Sequence, residues 1–245
     1  MRFFRTVCDL ILPRHCISCG APLRPEPYAL HRSWCEACRK SYQKELLVRC
    51  EECLCARVDC RCVPKVMKKA GVDAFVKLSA YGEEEKYTVT GRAVLYLKRH
   101  RDRAAFDLMA GELSPGVLSA LSELQKEEKS APDAVMTCLP RSDRARRREG
   151  FDQAEELARM LSLRVGVRFE RLLVRLRDAL PQKMLTAEER FENVKGLFGV
   201  VGEVRGRTVL LVDDLVTTGA GMSEAAELLR AAGAAHVIAV SLAVA

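Results

Sequence analysis

A parallel α/β domain behind a small cysteine-rich module is the architecture this chain predicts, and three observations predict it. Ten of the eleven cysteines fall between Cys8 and Cys62, in short paired spacings, leaving Cys138 alone. From Val72 onward, aliphatic stretches alternate with amphipathic helical patterns, as strand–helix units do. The run Val209-Leu210-Leu211-Val212 is unbroken aliphatic, which suits a central strand buried on both faces. The division this implies is a Cys-rich module over residues 1–68 and an α/β domain over residues 72–245.

The bulk composition fits that plan. A chain of 245 residues accommodates one domain of ordinary size plus a small module. Hydrophobic residues make up 49% and charged residues 30%, an ordinary globular balance. The net charge of +7 favours anionic partners. No stretch approaches the ~20 apolar residues of a membrane-spanning helix, so membrane insertion is not expected. The segment from Met1 to Leu12 is apolar but short, is interrupted by Arg5 and Asp9, and lacks a small-residue cleavage site. It reads as an amphipathic segment packing on the next module, not a secretory signal. A cytoplasmic location is the expectation.

Within residues 1–68, Cys16-x2-Cys19, Cys35-x2-Cys38, Cys50-x2-Cys53 and Cys60-x-Cys62 follow one another. Two thiolates on a tight turn chelate one ion, and two such pairs complete a tetrahedral shell, so structural Zn²⁺ is expected. An odd cysteine count with this spacing argues against a disulfide framework. Gly20 suits the turn after the first pair. The single-residue gap between Cys60 and Cys62 strains that geometry, Cys55 is a spare that could substitute, and His15 and His31 lie within reach of the first site. A pairing of the first and third pairs on one ion is also open to this spacing. A four-sulfur site has no open position, so the module reads as a folding staple. Cys8, Cys55 and Cys138 read as ordinary thiols, Cys138 in the core.

The second region predicts a strand over 72–80, a helix over 83–96, and a helix over 104–126 broken near Ser114-Pro115-Gly116. Residues 126–132 read as an exposed loop, and 134–139 as a strand ending at Pro140. An amphipathic helix follows over 152–163, with Ala154, Leu157, Ala158 and Leu161 on one face. Residues 168–173 suggest a strand, and 180–198 a polar loop or short helix. The strand 208–212, a helix 223–232 ended by Gly233, and a final strand 236–243 complete the domain. No internal repeat is evident.

Two segments carry chemistry. The first is the acidic pair Asp213-Asp214 at the end of the central strand, followed by Thr217-Thr218-Gly219-Ala220-Gly221 and a helix. A polar turn at a helix start cradles phosphate, while carboxylates accept sugar hydroxyls. Left unpaired in a core they would be costly, so a phosphorylated sugar is the better reading. The second runs from Pro140 to Gln153, where Arg141, Arg144, Arg146, Arg147 and Arg148 follow a strand. Forked guanidinium donors match a pyrophosphate there.

The stretch from Val209 to Gly221 resembles the signature of type I phosphoribosyltransferases. The full order resembles the ComF family: cysteine pairs, Leu97-Lys98, the arginine segment ending Glu149-Gly150-Phe151-Asp152-Gln153, then Gln182, Arg190-x2-Asn193-Val194-Lys195-Gly196-Leu197-Phe198 and the acidic pair. The resemblance implies a type I phosphoribosyltransferase-like parallel sheet flanked by helices, with an N-terminal zinc finger. It also implies an association with DNA uptake in natural transformation. Asp213 and Asp214 would hold the ribose 2- and 3-hydroxyls of phosphoribosyl pyrophosphate, and Thr217, Thr218, Gly219, Ala220 and Gly221 the 5-phosphate. Members often carry a hydroxyl residue where this chain has Gly221, and Arg-Gly-Phe-Asn-Gln where it has Arg148 to Gln153 with an inserted Glu149.

Displacing pyrophosphate from the anomeric carbon needs positioning and charge stabilisation more than dedicated acid–base groups. Mg²⁺, Arg141, Arg144, Arg148 and Lys98 would stabilise the leaving group, with residues 182–195 as a cover. No segment clearly selects a base. The resemblance is therefore compatible with a phosphoribosyltransferase, with a non-catalytic protein that holds single-stranded DNA or another competence protein, and with a nucleotide-sensing regulator.

Overall fold

The computed structural model describes residues 14–23, 33–80, 88–128, 133–177 and 187–244. Cys8, His31, Gln182 and the segment from Met1 to Leu12 lie outside the described residues, as do parts of the expected helix 83–96 and loop 126–132.

In chain order the elements are α1 (Glu36–Leu46), α2 (Lys65–Lys69), β1 (Ala74–Ala80), α3 (Val89–Leu97), α4 (Arg103–Glu128), β2 (Ala134–Cys138), α5 (Asp143–Glu149) and α6 (Gln153–Val165). Then come β3 (Arg168–Phe169), β4 (Leu173–Arg175), α7 (Ala187–Val194), β5 (Phe198–Val200), β6 (Thr208–Val216), α8 (Ala220–Ala231) and β7 (His236–Val244). Five strands form one parallel sheet in the order β1-β7-β6-β2-β3, and β4 and β5 make a separate antiparallel pair. Helices cover both faces. On one face α3, α4 and α6 pack on Leu210, Val212, Ile238 and Val240. On the other, α2 and α8 pack on Val209, Leu211, Val237 and Ala239. Val209 to Val212 are wholly buried, as an unbroken aliphatic strand between two helical layers must be.

Four sequence expectations need correction. Helix α4 runs without a break through Pro115. Pro115 is exposed, Ser114 Oγ donates to the Ala110 carbonyl at 2.7 Å, and Leu113, Gly116 and Val117 beside it are buried. Burying Leu113 and Val117, at about 1.5–3 kcal/mol each, outweighs the ~3 kcal/mol an interior proline costs. The same helix continues to Glu128, so residues 126–128 are not loop. The segment 168–173 is two strands in different sheets, β3 and β4, not one. The central strand extends to Val216, so Asp213 and Asp214 lie inside it.

That last difference makes the crevice. Strand β2 pairs with β6 only as far as Cys138 opposite Val212, closed by Leu139 N–H on the Val212 carbonyl at 3.0 Å. Beyond it β6 pairs only with β7, through Val216 opposite Val244. The chain after β2 turns away, and the carboxyl end of β6 is left facing a gap, where parallel α/β sheets bind ligands.

Candidate functional site

Two adjoining cavities open at this gap. The larger, about 230 Å³, has Lys98, Arg141, Gln153, Arg175, Phe198 and both Asp213 and Asp214 on its walls. The smaller, about 120 Å³, is walled by Asp213, the turn from Thr217 to Gly219 and the first residues of α8, Ala220 and Gly221. Asp213 and Gly221 belong to both, so the two chambers meet at the strand end.

Both carboxylates face the larger cavity, close enough for the charge of one to act on the other. Asp214 turns toward Lys98, whose Nζ lies 3.7 Å from Oδ2. Asp213 accepts the backbone N–H of Asp214 at 2.8 Å. Burial pushes its carboxyl well above the ordinary carboxylate range, the Asp214 charge pushes the same way, and Lys98 opposes both. The loop ends in Gly219 at φ +77°, the cap of α8. The positive φ favours glycine, and a Cβ there would sit 3.1 Å from Met67 Cγ, so the methionine would have to shift. A Cβ on Gly221 would meet nothing within 4 Å.

The cationic wall is held by a relay. Gln153, almost fully buried, accepts from Arg141 Nη1 and donates to the Lys98 carbonyl at 2.9 Å. Asp152 caps α6 by accepting Glu155 N–H at 3.2 Å and accepts Arg141 N–H at 3.1 Å with its other oxygen. Both oxygens are thus committed to backbone, a job in which asparagine offers only one acceptor. Lys98 itself is the C-cap of α3. The start of α3 is capped by Glu45 of α1, which accepts Val89 N–H at 2.6 Å and Thr90 N–H at 3.1 Å.

The arginine segment is helical. Ser142 caps α5, Asp143 and the three final arginines match its dipole, and Gly150 at φ +78° ends it. Arg141 lines the larger cavity, whereas Arg144 and Arg148 are exposed on α5 and line neither. Arg148 pairs with Glu149 at 2.8 Å. Phe198, the end of the motif that begins at Arg190, lines the cavity from β5, and Arg175 lines it from β4 without having been singled out in sequence, because a three-residue strand has too little periodicity to place it.

The eight paired cysteines converge as two groups, Cys16, Cys19, Cys35 and Cys38, and Cys50, Cys53, Cys60 and Cys62, each with its sulfurs within 4.8 Å of one another. The interleaved pairing is therefore not adopted. The two leading turns repeat each other. Cys16 N–H donates to the Ala21 carbonyl at 2.8 Å and Gly20 N–H to the Cys16 carbonyl at 2.9 Å; Cys50 N–H donates to the Cys55 carbonyl and Leu54 N–H to the Cys50 carbonyl, both at 2.9 Å. Isolated bridges flank both turns, His15 with Pro22 and Arg49 with Ala56. This local repeat escapes the sequence because only its cysteines are shared. Burial pushes the Cys16 thiol up, but the N–H groups of Cys19, Cys35 and Ser18 outweigh it and bring it to about 7. The N–H groups of Cys53 and Glu52 bring Cys50 to about 6. Sulfur-only donor sets, each with one thiol lowered by backbone N–H groups, fit a tetrahedral metal ion such as zinc.

Where the first turn has Gly20 at φ +72°, the second has Leu54 at φ +59°, the one non-glycine residue with positive φ among the described residues. Its side chain is 65% exposed. Leu54→Gly is accordingly expected to raise stability by about 1 kcal/mol, the cost of the left-handed conformation for an L-residue. A melting curve with metal bound checks this, and a lower midpoint would contradict it.

Residues 147–244 match the phosphoribosyl transferase domain family. A DNA utilization protein, YhgH, of Escherichia coli is 36% identical over 107 residues, 43% of this chain and 47% of that protein. Competence protein F of Haemophilus influenzae is 32% identical over 94 residues, 37% of this chain and 41% of that protein. The matched region thus spans about half the length of these curated relatives or less. A purine phosphoribosyltransferase from Pyrococcus horikoshii aligns with a TM-score of 0.31 at 19% identity, over 53% of this chain and 71% of that one. Residues 147–244, which hold the acidic pair of β6, are thus similar to phosphoribosyl transferase-domain proteins, Competence protein F among the similar relatives, and the two cysteine clusters lie N-terminal to that region.

Proposed function

We propose that the crevice binds phosphoribosyl pyrophosphate or a closely related sugar phosphate, and that the protein serves DNA uptake as a ComF-like phosphoribosyltransferase. The observation that carries this reading is the pair of chambers joined at Asp213 and Gly221. The smaller one takes the 5-phosphate on the amides and hydroxyls of Thr217, Thr218, Gly219, Ala220 and Gly221. The larger takes the ribose against Asp213 and Asp214 and the pyrophosphate toward Lys98 and Arg141. Mg²⁺ would enter with the pyrophosphate and neutralise its charge. Zn²⁺ on the two cysteine clusters supplies cross-links, and reduced thiols of this kind suit a cytoplasmic setting.

In turnover, the bond from the anomeric carbon to pyrophosphate breaks while an acceptor nitrogen attacks. Asp213 and Asp214 orient the ribose and favour the developing positive charge, and the two cations hold the leaving group. Incubation with phosphoribosyl pyrophosphate and each nucleobase in turn tests this, and base-dependent release of pyrophosphate is expected. Gly221 has room for a side chain, so Gly221→Thr should add a hydroxyl donor to the phosphate and tighten ligand binding about 5- to 10-fold, as one added hydrogen bond of ~1 kcal/mol or slightly more would. Unchanged or weaker affinity would contradict the assigned chamber.

A second reading is favoured by one feature. Arg144, Arg146, Arg147 and Arg148 are exposed on α5 outside both cavities, and suit the backbone of single-stranded DNA. Neutralising all four should then weaken DNA binding and flatten its salt dependence, while leaving sugar-phosphate binding intact.

A further inference from the structure

The second cysteine cluster connects to the smaller chamber by an unbroken mechanical path. Only Val63 and Pro64 separate Cys62 from α2, and Pro64 is the cap of that helix. Five residues are too few for a helix to persist alone, so α2 depends on what holds its ends. At its far end, Arg230 of α8 donates from Nε to the Gly71 carbonyl at 2.9 Å and pairs with Asp73 at 2.7 Å. At its near end stands the cluster. Lys77 of β1, buried in the sheet, donates from Nζ to the Cys62 carbonyl at 2.9 Å and lies 3.5 Å from Cys60 Sγ. Phe75 N–H reaches the Arg61 carbonyl at 3.4 Å. The chain at Cys60–Cys62 is therefore pinned to β1, and through two residues it pins α2.

What α2 delivers is Met67. Its side chain is wholly buried, with Cγ 3.1 Å and Sδ 3.2 Å from the point a Gly219 Cβ would occupy. Met67 is the floor beneath the turn that shapes the smaller chamber. The first cluster takes a different route. It holds Cys35, the cap of α1, and α1 reaches α3 through Glu45, so it bears on the side of the site that carries Lys98.

We propose that Met67 is a positioning residue for the phosphate-binding turn, and that metal occupancy of Cys50, Cys53, Cys60 and Cys62 sets the conformation of that turn through α2. The first cluster leaves the turn alone. The ligand named here rests on the reading given under Proposed function, but the mechanical coupling does not.

Amide hydrogen exchange, at a temperature below every variant's melting transition, separates the two. Cys53→Ser and Cys19→Ser should each lose one equivalent of zinc by mass spectrometry. Cys53→Ser should then speed exchange at least 10-fold over residues 66–70 and 217–222, with strand 208–212 unchanged. Cys19→Ser should leave 217–222 as in the parent. Met67→Ala should reproduce the faster turn without zinc loss, and Met67→Leu should restore it, because leucine refills the space. Equal acceleration in both cysteine variants, or none over 217–222 in either Cys53→Ser or Met67→Ala, overturns the proposal. If Cys53→Ser does not fold, the two Met67 variants decide it alone. Ribose 5-phosphate titrated into the parent reports on the ligand reading separately. Absence of binding there with the exchange pattern intact removes the ligand and keeps the coupling.

Discussion

Asp213→Asn is expected to reduce pyrophosphate release by about 100-fold or more, the scale for removing one charge aimed at a developing opposite charge. The geometry explains why this position exceeds its neighbour. Asp213 borders both chambers, whereas Asp214 is already engaged with Lys98 at 3.7 Å. The pH dependence has a definite sign. Burial first, and then the Asp214 charge, raise the Asp213 carboxyl above its unfolded value, so the folded state holds its proton more tightly. Ionising it therefore costs folding stability as pH rises from the ordinary carboxylate range through the raised value. A ligand that donates hydroxyls to the ionised carboxylate recovers that cost. Ligand stabilisation of the parent should thus grow as pH rises through the same window, and in Asp213→Asn the dependence should vanish. Melting curves with and without ligand across pH check both statements, and an unchanged pH profile in the variant would contradict the assignment. The variant itself should be no less stable than the parent at neutral pH, since an amide carries no charge to bury.

Cys38→Ser carries the second large effect, on stability. Cys38 is one of the four sulfurs of the first cluster and is itself buried. Cys16, Ile17, Trp34 and Tyr42 around it belong to the same apolar cluster as Val76, Leu113 and Leu210 of the α/β domain. The cluster is tied in by polar contacts as well, from Tyr42 to Glu112 at 3.1 Å and from Arg92 to Ser18 at 2.9 Å. Structural zinc contributes binding energy on the order of 10 kcal/mol to folding. Losing ~4 kcal/mol of it lowers the melting point of a chain this long by roughly 10 °C. Trp34 packs edge-on against Tyr42 with ring centroids 4.2 Å apart, and it is the only tryptophan. Its fluorescence should change on chelation of the first cluster. A Cys38→Ser protein that keeps two zinc ions and its melting point would refute the structural role.

The sequence reading succeeds where a local pattern has one physical cause. Val209 to Val212 can be buried only between two layers, and the sheet follows from that. The cysteine spacing leads to sulfur-only metal sites, but which pairs join follows only from the fold, which groups the first with the second and the third with the fourth. It fails where tertiary contacts override local preference. Pro115 reads as a break until the burial of Leu113 and Val117 is known, and the short strands β3 and β4 read as one because neither has a period of its own. At the site, Asp213 lies inside β6 because β7 pairs on past the point where β2 stops, which no single segment encodes. Gln153 and Lys98 are visible as residues, but the relay between them joins positions 55 apart. Met67 gives no signal at all, since an apolar residue in a five-residue helix looks like any other core position.

We propose that the joined chambers form a site for a ribose bearing both a phosphate and a pyrophosphate. Calorimetric titration of the zinc-loaded protein with phosphoribosyl pyrophosphate, with and without Mg²⁺, tests it most directly. Saturable binding of one ligand per chain is expected, strengthened by Mg²⁺ and competed away by ribose 5-phosphate. No heat and no shift in melting point in either condition would contradict it.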